Sequence, residues 1–419
     1  MRKIEPLAND YIKVYESDIE GKSEYCYTPG ICVLKSGRII ATLDHTYPGI
    51  SPKEKGMIYI SDDGEHFRFV GYFPFQHARP FEAGDDVYII GQAGNVRIIR
   101  SEDGGETWSD YHSLTPEDGP GTWHASATNV WYEEDRLYLV MEHQMGADCV
   151  SWPVAAIAPV LMRARIGDDL LQRENWTFAS EVYFRDAVDQ EKLDDFGVPF
   201  YQVPRGGVIY TRVPDQTCRD SRTCAPIGWL ETNVVRIMDK KHYWADPSGH
   251  TFHLFARAHT GGTGYCALAK VKEKGDGSMI TSFEHVPSGR RCVFLPMPGG
   301  QMRFHMLYDA QTQLYWLLST QATDSMTRSE LLPPDRYNLP NNERRRLVLH
   351  FSKNCVDWCF AGLVAVGEVE KASRHYASMA IAGDDLLILS RSGDTRAHSA
   401  HNGNLITLHR VRNFRELVY

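Results

Sequence analysis

The sequence lacks any hydrophobic run long enough to cross a membrane as a helix. Its most apolar stretch, residues 154–162, is far shorter than the roughly 18 residues that such a helix needs. The first 17 residues include Arg2 and Lys3 but no apolar core of the kind found in a secretory signal. We therefore expect a cytoplasmic protein with no membrane partner.

The sequence also lacks a concentration of positive charge. Its 54 acidic residues outnumber its 45 Lys and Arg residues, and the formal net charge of -9 argues against a nucleic-acid partner. The basic run Arg344–Arg346 follows polar residues, and we interpret it as a solvated loop. Nine cysteines at irregular spacing do not form the framework of a secreted disulfide-rich domain, which indicates a reducing compartment.

Helical signals are sparse, and the chain has neither a Gly-rich phosphate loop nor a regular alternation of strands and helices. Short runs rich in Val, Ile, Leu, Tyr and Phe recur instead after polar turns, for example at residues 86–91, 136–143, 250–258, 313–320 and 385–393. This pattern predicts an all-β repeat, and a β-propeller formed by residues 1–419 fits better than a sandwich. At roughly 50–60 residues per blade we expect seven blades, with six as the alternative.

A polar motif, SEDGGETW at residues 101–108, has the chemistry of a tight turn before a strand. Asp and Ser side chains accept hydrogen bonds from nearby backbone N–H groups, and glycine permits a positive φ. Weaker copies occur at residues 61–67 and 352–358. The motif resembles the Asp-box of sialidase-like propellers, which indicates the fold and says little about the reaction.

A sialidase is expected to have three arginines for a carboxylate, a Tyr–Glu nucleophile pair and an early Arg-Ile-Pro. This chain has Arg79-Pro80 without the isoleucine, and no convincing Tyr–Glu pair is found in the sequence. Both observations disfavour a sialidase.

Four segments resemble seven-bladed polysaccharide lyases of the ulvan lyase and rhamnose–glucuronate lyase types: residues 123–143, 228–237, 297–320 and 386–417. The resemblance implies a lyase that cleaves a uronate-containing oligosaccharide or polysaccharide by β-elimination, with an acidic oligosaccharide as partner and no required cofactor. Such an enzyme must neutralise the uronate carboxylate, remove the C5 proton and protonate the leaving oxygen.

His124 and His143 are the first catalytic candidates. They flank a hairpin with its turn near residues 133–136, and a hairpin brings its two ends together. In the ulvan lyases that the chain resembles, a pair of histidines at similar separation flanks the substrate. The resemblance therefore implies proton transfer by one histidine and charge neutralisation by the other.

Tyr210 is the candidate proton shuttle, and Tyr201 is its rival. Arg212 follows Tyr210 by two residues and faces the same side of a strand, which makes it a candidate for substrate binding. Arg222, with Arg219 as the alternative, is the candidate carboxylate clamp, because a guanidinium binds a carboxylate through two parallel hydrogen bonds.

Further candidates are spread along the chain. Those for substrate binding are His45, His77, Arg257, His259 and Tyr265. Those for a structural zinc site, whose spacing is not a CxxC pattern, are Cys218, Cys224 and Cys266. The polar C-terminal segment, residues 391–404, is interpreted as sealing the propeller by pairing the last strands with the first blade.

Two other function classes stay open. A glycoside hydrolase of the rhamnosidase or sialidase type needs two carboxylates across a sugar, and the available acids are Glu142, Glu231 and Asp309, none of which forms an obvious pair in the sequence. A non-catalytic propeller would bind glycans without turnover.

Overall fold

The computed structural model describes residues 4–146, 154–188, 228–259, 264–325, 327, 331 and 343–419. Within these residues the backbone forms six antiparallel sheets of four or five strands, and a separate two-stranded sheet. The six sheets are the blades of a β-propeller. Each blade begins at the centre of the molecule, where its first strand contacts neighbouring blades.

The chain passes through the blades in order. Blade 1 has β2 (Tyr25–Val33), β3 (Ile39–Thr46), β4 (Gly56–Ser61) and β5 (Arg68–Phe73). Blade 2 has β6 (Gln76–Ala83), β7 (Asp86–Gln92), β8 (Val96–Ser101) and β9 (His112–Ser113). Blade 3 has β10 (Thr122–His124), β11 (Trp131–Glu133), β12 (Arg136–Gln144), β13 (Ile157–Arg165) and β14 (Trp176–Phe178).

Blade 4 has β15 (Gly228–Val235), β16 (Thr251–His259), β17 (Tyr265–Glu273), β18 (Met279–Ser282) and, paired with β17, β21 (Phe294–Pro296). The separate two-stranded sheet has β19 (Glu284–His285) and β20 (Arg291–Cys292). Blade 5 has β22 (His305–Asp309), β23 (Leu314–Thr320), β24 (Arg346–Ser352) and β25 (Cys359–Val366). Blade 6 has β26 (Arg374–Ala382), β27 (Asp385–Ser392), β28 (Leu405–Val411) and β1 (Ile12–Glu16).

Helices are short throughout the described chain. The α-helices are α1 (Ile19–Lys22) and α2 (Phe184–Ala187), and the 3₁₀ turns are Pro52–Glu54, Val154–Ala156, Arg173–Asn175 and Phe414–Leu417. None of the helices in the described segments has the length and apolar character needed to cross a membrane.

The structure confirms the predicted all-β propeller and has the six blades of the alternative; the expectation of seven is corrected. That expectation assumed a uniform blade length. Blades 3 and 4 together extend from Thr122 to Pro296, so two blades occupy about as much chain as three of the assumed size.

The ring is closed by the N-terminal strand. Residues of β1 pair antiparallel with β28, for example Ile12 with Leu408, so the first strand of the chain becomes the fourth strand of the last blade. The predicted sealing of the propeller is therefore achieved by the N-terminus entering blade 6, and not by the C-terminal strands joining blade 1.

Hydrophobic side chains fill the wedges between neighbouring blades. Between blades 1 and 2, for example, Ile40 and Ile60 pack with Ile89 and Ile99. All four side chains are at most 3% exposed, and burial of each aliphatic side chain contributes about 1.5–3 kcal/mol. The blades are thus held together by apolar packing, which leaves the central axis for polar groups.

The SEDGGETW motif forms the turn between β8 and β9. The Asp103 carboxylate accepts hydrogen bonds from the backbone N–H groups of Glu106 (3.0 Å) and Thr107 (2.9 Å) and from the Thr107 hydroxyl (2.6 Å). These bonds hold the pKa of Asp103 at about 2. Asp63 and Asn354 accept equivalent backbone hydrogen bonds in the turns of blades 1 and 5, so the three copies are structurally equivalent.

Replacement of Asp103 by Ala is expected to destabilise the protein by about 1–2 kcal/mol, because two backbone donors and one hydroxyl lose their acceptor. Urea unfolding measures this change. Asp118→Ala is the matched control, since Asp118 is exposed and lies in the connection that follows β9. Equal stability of the two variants would contradict the structural role of the motif.

Candidate active site

Four inner strands carry the same irregularity at the centre of the propeller. The pairing registers of β2, β6, β15 and β26 each shift by one residue, which marks a β-bulge. Each bulge contains a non-glycine residue with positive φ: Thr28 (34°), His77 (56°), Glu231 (59°) and Tyr376 (48°). Bulges re-aim side chains, and strained backbone is concentrated at functional sites.

All four bulge residues line one cavity of about 520 Å³. Its other polar lining residues are Tyr27, Thr46, Gln76, Gln92, His124, Ser126, Glu142, Gln144, Arg391 and His401. The blades therefore contribute chemically different groups to a common space of the size that holds a small ligand.

A Tyr–Glu pair lies in this cavity. The Tyr376 hydroxyl and the Glu231 carboxylate share Arg257 as a hydrogen-bond donor, and Glu231 contributes to raising the pKa of Tyr376. Arg257 Nη1 donates to the Tyr376 oxygen (2.7 Å) and to Glu231 Oε2 (3.2 Å). Burial raises the pKa of Tyr376, and the charges of Arg257 and Arg344 oppose that rise. No such pair is recognisable in the sequence, because Glu231 and Tyr376 lie on separate blades that only the fold brings together.

Four buried arginines surround Tyr376. The guanidinium carbons of Arg344 and Arg391 lie 5.5 Å from the Tyr376 ring centroid, and those of Arg257 and Arg303 lie 6.0 Å from it. Burial lowers the pKa of Arg344 to about 9 and lowers that of Arg391 as well. The inner side of the cavity is consequently rich in positive charge.

Arg344 corrects the interpretation of the basic run as a solvated loop. Arg344 is 4% exposed and its Nη1 lies 3.0 Å from His375 Nδ1. Arg346, by contrast, bonds to Glu343. The run ends at the first residue of β24, and of its three side chains that of Arg344 lies near Tyr376.

Glu142 is a second carboxylate in the cavity wall, at the inner end of β12. Its Oε1 accepts hydrogen bonds from the backbone N–H (3.0 Å) and the hydroxyl (2.8 Å) of Thr232, the residue after Glu231. Burial raises the pKa of Glu142 to about 7, and the charge of Glu231 adds to the rise although the bonds to Thr232 oppose it. Glu142 is therefore an acid that holds its proton up to neutral pH.

Asp44 stabilises the bulge of blade 2 through hydrogen bonds with the His77 backbone. Its two carboxylate oxygens accept from the backbone N–H of His77 at 3.0 and 2.8 Å. Burial raises the pKa of Asp44 to about 8, and burial lowers the pKa of His77 to about 4. Near neutral pH the His77 ring is thus uncharged.

The structure does not bring His124 and His143 together. In the antiparallel register His124 lies opposite Glu142, and His143 lies opposite Trp123, so the two imidazoles point to opposite faces of blade 3. His124 lines the cavity and its Nε2 bonds to Gln144 Oε1 (2.7 Å).

His143 belongs to a cluster on the other face. Its ring stacks on Trp123 with centroids 4.6 Å apart, and its nitrogens bond to Glu181 Oε1 (2.8 Å) and the Pro120 carbonyl (2.9 Å). Adjacent residues of a strand face opposite sides, so His143 faces away from Glu142 and from His124. The prediction that His124 and His143 share one site did not take this alternation into account.

The candidates for substrate binding are dispersed. His77 lines the cavity, and Arg257 contacts Tyr376 behind it. His45 is buried in blade 1, where it bonds to Glu24 and to the Glu54 carbonyl. His259 and Tyr265 lie on β16 and β17 and are not among the residues that line the cavity.

Several predicted residues lie outside the described part of the chain: Tyr201, Tyr210, Arg212, Cys218, Arg219, Arg222 and Cys224. The third zinc candidate, Cys266, is buried in the hydrophobic core. Among the residues that the structure describes, no group of three or more His, Cys, Asp or Glu side chains is placed to hold a metal ion.

Asp309, the third acid considered for a hydrolase, is a structural residue. Arg415 donates to both of its oxygens (2.9 and 3.0 Å), and Thr312 donates to Oδ2. It does not line the central cavity.

No protein-family model matches the sequence, and no curated protein sequence matches it either. Solved structures with a similar fold include a protein of unknown function from Dyadobacter fermentans, with 12% identity and a TM-score of 0.53 over 98% of this chain and 99% of that chain. Penicillium chrysogenum alpha-L-arabinanase complexed with arabinobiose has 10% identity and a TM-score of 0.53, over 99% of this chain and 100% of that chain.

A third similar structure is Trypanosoma rangeli sialidase in complex with 2,3-difluorosialic acid, a covalent intermediate. It has 13% identity and a TM-score of 0.52, over 100% of this chain and 60% of that chain. The fold is a β-propeller, as in these proteins. At these identities the similarity concerns the fold alone, and the chemistry has to be argued from the cavity.

Proposed function

We propose that the protein is a glycoside hydrolase acting on a sugar that carries a carboxylate. The observation that carries the proposal is that Arg257 Nη1 bonds to both the Tyr376 oxygen and the Glu231 carboxylate, while Glu142 bonds to the residue next to Glu231. A paired nucleophile and base beside a proton-bearing acid is the arrangement that glycosidic bond cleavage needs.

The roles follow from the environments of the three groups. Tyr376 attacks the anomeric carbon while Glu231 accepts its phenolic proton, and Glu142 gives its proton to the leaving oxygen. Water then attacks the tyrosyl–sugar bond, with the Glu142 carboxylate as base, and Tyr376 regains its proton from Glu231. The raised pKa of Glu142 suits the role of the acid.

The anionic substrate is inferred from charge. Arg391 lines the cavity, and Arg257, Arg303 and Arg344 lie within 6.0 Å of the Tyr376 ring. With pKa values of about 7 and 8, Glu142 and Asp44 are not fully ionised at neutral pH. A sugar carboxylate bound at Arg391 would balance this excess of positive charge. An uncharged tyrosine can attack such a sugar without the electrostatic repulsion that a carboxylate nucleophile would meet.

The lyase implied by the sequence resemblance is less well supported. Its proposed His124–His143 pair is divided between two faces of blade 3, and its Tyr210 and Arg222 are not described. The hydrolase, in contrast, has a nucleophile, a base and an acid around one cavity. The similar folds of an arabinanase and a sialidase agree with this choice without deciding it.

An assay with aryl glycosides tests the proposal. The protein is incubated with 4-nitrophenyl glycosides of acidic sugars, with the neutral 4-nitrophenyl arabinofuranoside as control, and both phenol release and ultraviolet absorbance of an unsaturated uronate are followed. We expect release from an acidic glycoside with retention of anomeric configuration in the product. An unsaturated product would establish the lyase instead, and absence of turnover would favour a binding propeller.

A further inference from the structure

A second cavity, of about 500 Å³, lies on the other side of the bulges. It is lined by residues that follow the bulges of β2 and β26, such as Ile31, Val33, Ala380 and Ile381, and by Leu307 of β22. These walls are apolar, in contrast to the polar cavity around Tyr376. The size is within the range of small-molecule sites.

The second cavity also contains a buried cation. Arg79 is 3% exposed, and its Nη2 donates to the carbonyls of Ser126 (2.7 Å) and Val140 (3.1 Å) and to the Thr128 hydroxyl (2.7 Å). Its Nε and Nη1 have no hydrogen-bond partner among the described residues. Buried donors are normally satisfied, because an unsatisfied one costs about 1–3 kcal/mol.

His305 shares this environment. It lines the same cavity, is 6% exposed, and its Nδ1 has no partner in the described chain. Burial, together with the charges of Arg303 and Arg79, lowers the pKa of His305 well below its usual range. Two buried polar side chains with unused hydrogen-bonding atoms therefore line a cavity that has aliphatic walls and, among its other lining residues, Lys35 and Glu82.

The electrostatic balance around Arg79 is positive. Burial lowers the pKa of Arg79 to about 9, with a further contribution from the charge of Arg303, and Glu142 is the carboxylate that opposes this shift. Because the pKa of Glu142 is itself about 7, its negative charge is incomplete at neutral pH. An anionic group near Arg79 would supply the missing charge.

We propose that this cavity is a binding site for a small amphipathic carboxylate. The carboxylate lies toward Arg79 and His305, and the apolar chain extends along Ile31, Val33, Leu307 and Ile381. An apolar cavity with a few polar groups at one end fixes the orientation of such a ligand, since reversal would bury its charge among aliphatic side chains. This site is separate from the proposed hydrolase site and does not depend on it.

Isothermal titration calorimetry with octanoate and octanol tests the proposal. We expect the unmodified protein to bind octanoate at least tenfold more tightly than octanol, and Arg79→Met to remove that preference. Ala380→Trp should abolish binding of both by filling the cavity, whereas Ile280→Trp, a matched change on the exposed strand β18, should leave binding unchanged.

Circular dichroism establishes that each variant is folded. Should Arg79→Met fail to fold, the comparison of octanoate with octanol and the effect of Ala380→Trp still decide the question. Absence of octanoate binding, equal affinity for the two ligands, or unchanged binding in Ala380→Trp would overturn the proposal. The binding measurements do not depend on glycosidase activity. A negative result here would therefore overturn the carboxylate site without bearing on the proposed hydrolase function.

Discussion

Replacement of Tyr376 by Phe is expected to lower kcat for hydrolysis of an acidic aryl glycoside by at least about 10³-fold, because it removes the attacking oxygen. The aromatic ring stays in place, so packing and the electrostatic contact with the four arginines are retained. Steady-state kinetics measures the loss, and thermal unfolding should show that the variant remains folded.

Tyr27→Phe is the matched control. Tyr27 lines the same cavity, its ring lies 4.1 Å from the guanidinium carbon of Arg391, and its hydroxyl bonds to Asn402 (3.1 Å). Loss of this hydroxyl should change kcat less than tenfold, because the proposed mechanism gives the Tyr27 oxygen no role. Equal losses in the two variants would show that Tyr376 acts through general hydrogen bonding and not as the nucleophile.

The propeller is predictable from the sequence because it depends on local chemistry. Polar turns before aliphatic runs specify strands, and the Asp103 turn has the hydrogen bonds expected from its Asp, Thr and Gly residues. The number of blades, in contrast, is not determined by such local patterns. It depends on how much chain lies in insertions, and insertions carry no periodic signal.

The candidate site is less predictable because its residues come from bulges in separate blades. Glu231 and Tyr376 share neither a strand nor a recognisable motif, and a bulge is set by the pairing of two strands. A weak signal is present in retrospect. Each bulge residue lies a few positions before an apolar run at the start of a blade. An alignment of the blade starts would therefore have placed the four bulge residues at equivalent positions: Thr28, His77, Glu231 and Tyr376.

His143 and Arg344 were misassigned for different reasons. His143 is next to Glu142 on β12, so a shift of one residue moves the functional side chain from the cavity to the outer face. Arg344 was hidden in a run of three arginines, because charge runs usually indicate solvent. Only the packing of blade 5 against blade 6 shows that Arg344 lies near Tyr376.

Replacement of Glu142 by Gln is expected to lower kcat by about 10²–10⁴-fold for a glycoside with a poor, alkoxide-type leaving group. For 4-nitrophenyl glycosides the first step should be affected much less, since 4-nitrophenolate leaves without a proton. The contrast between the two substrates separates loss of an acid from loss of structure. Glu134→Gln, an exposed change in the turn before β12, is the matched control.

The pH profile gives an independent readout of the same residue. Because Glu142 must be protonated to act as the acid and its pKa is about 7, kcat of the unmodified protein should decline as pH rises through about 7. Glutamine cannot titrate, so this decline should be absent from the residual activity of Glu142→Gln. Glu142 also affects stability. The folded protein keeps a proton on Glu142 that the unfolded chain releases near pH 4.5, so the free energy of unfolding falls as pH rises from about 4.5 to about 7. An alkaline decline that persists in Glu142→Gln would assign the acid to another group.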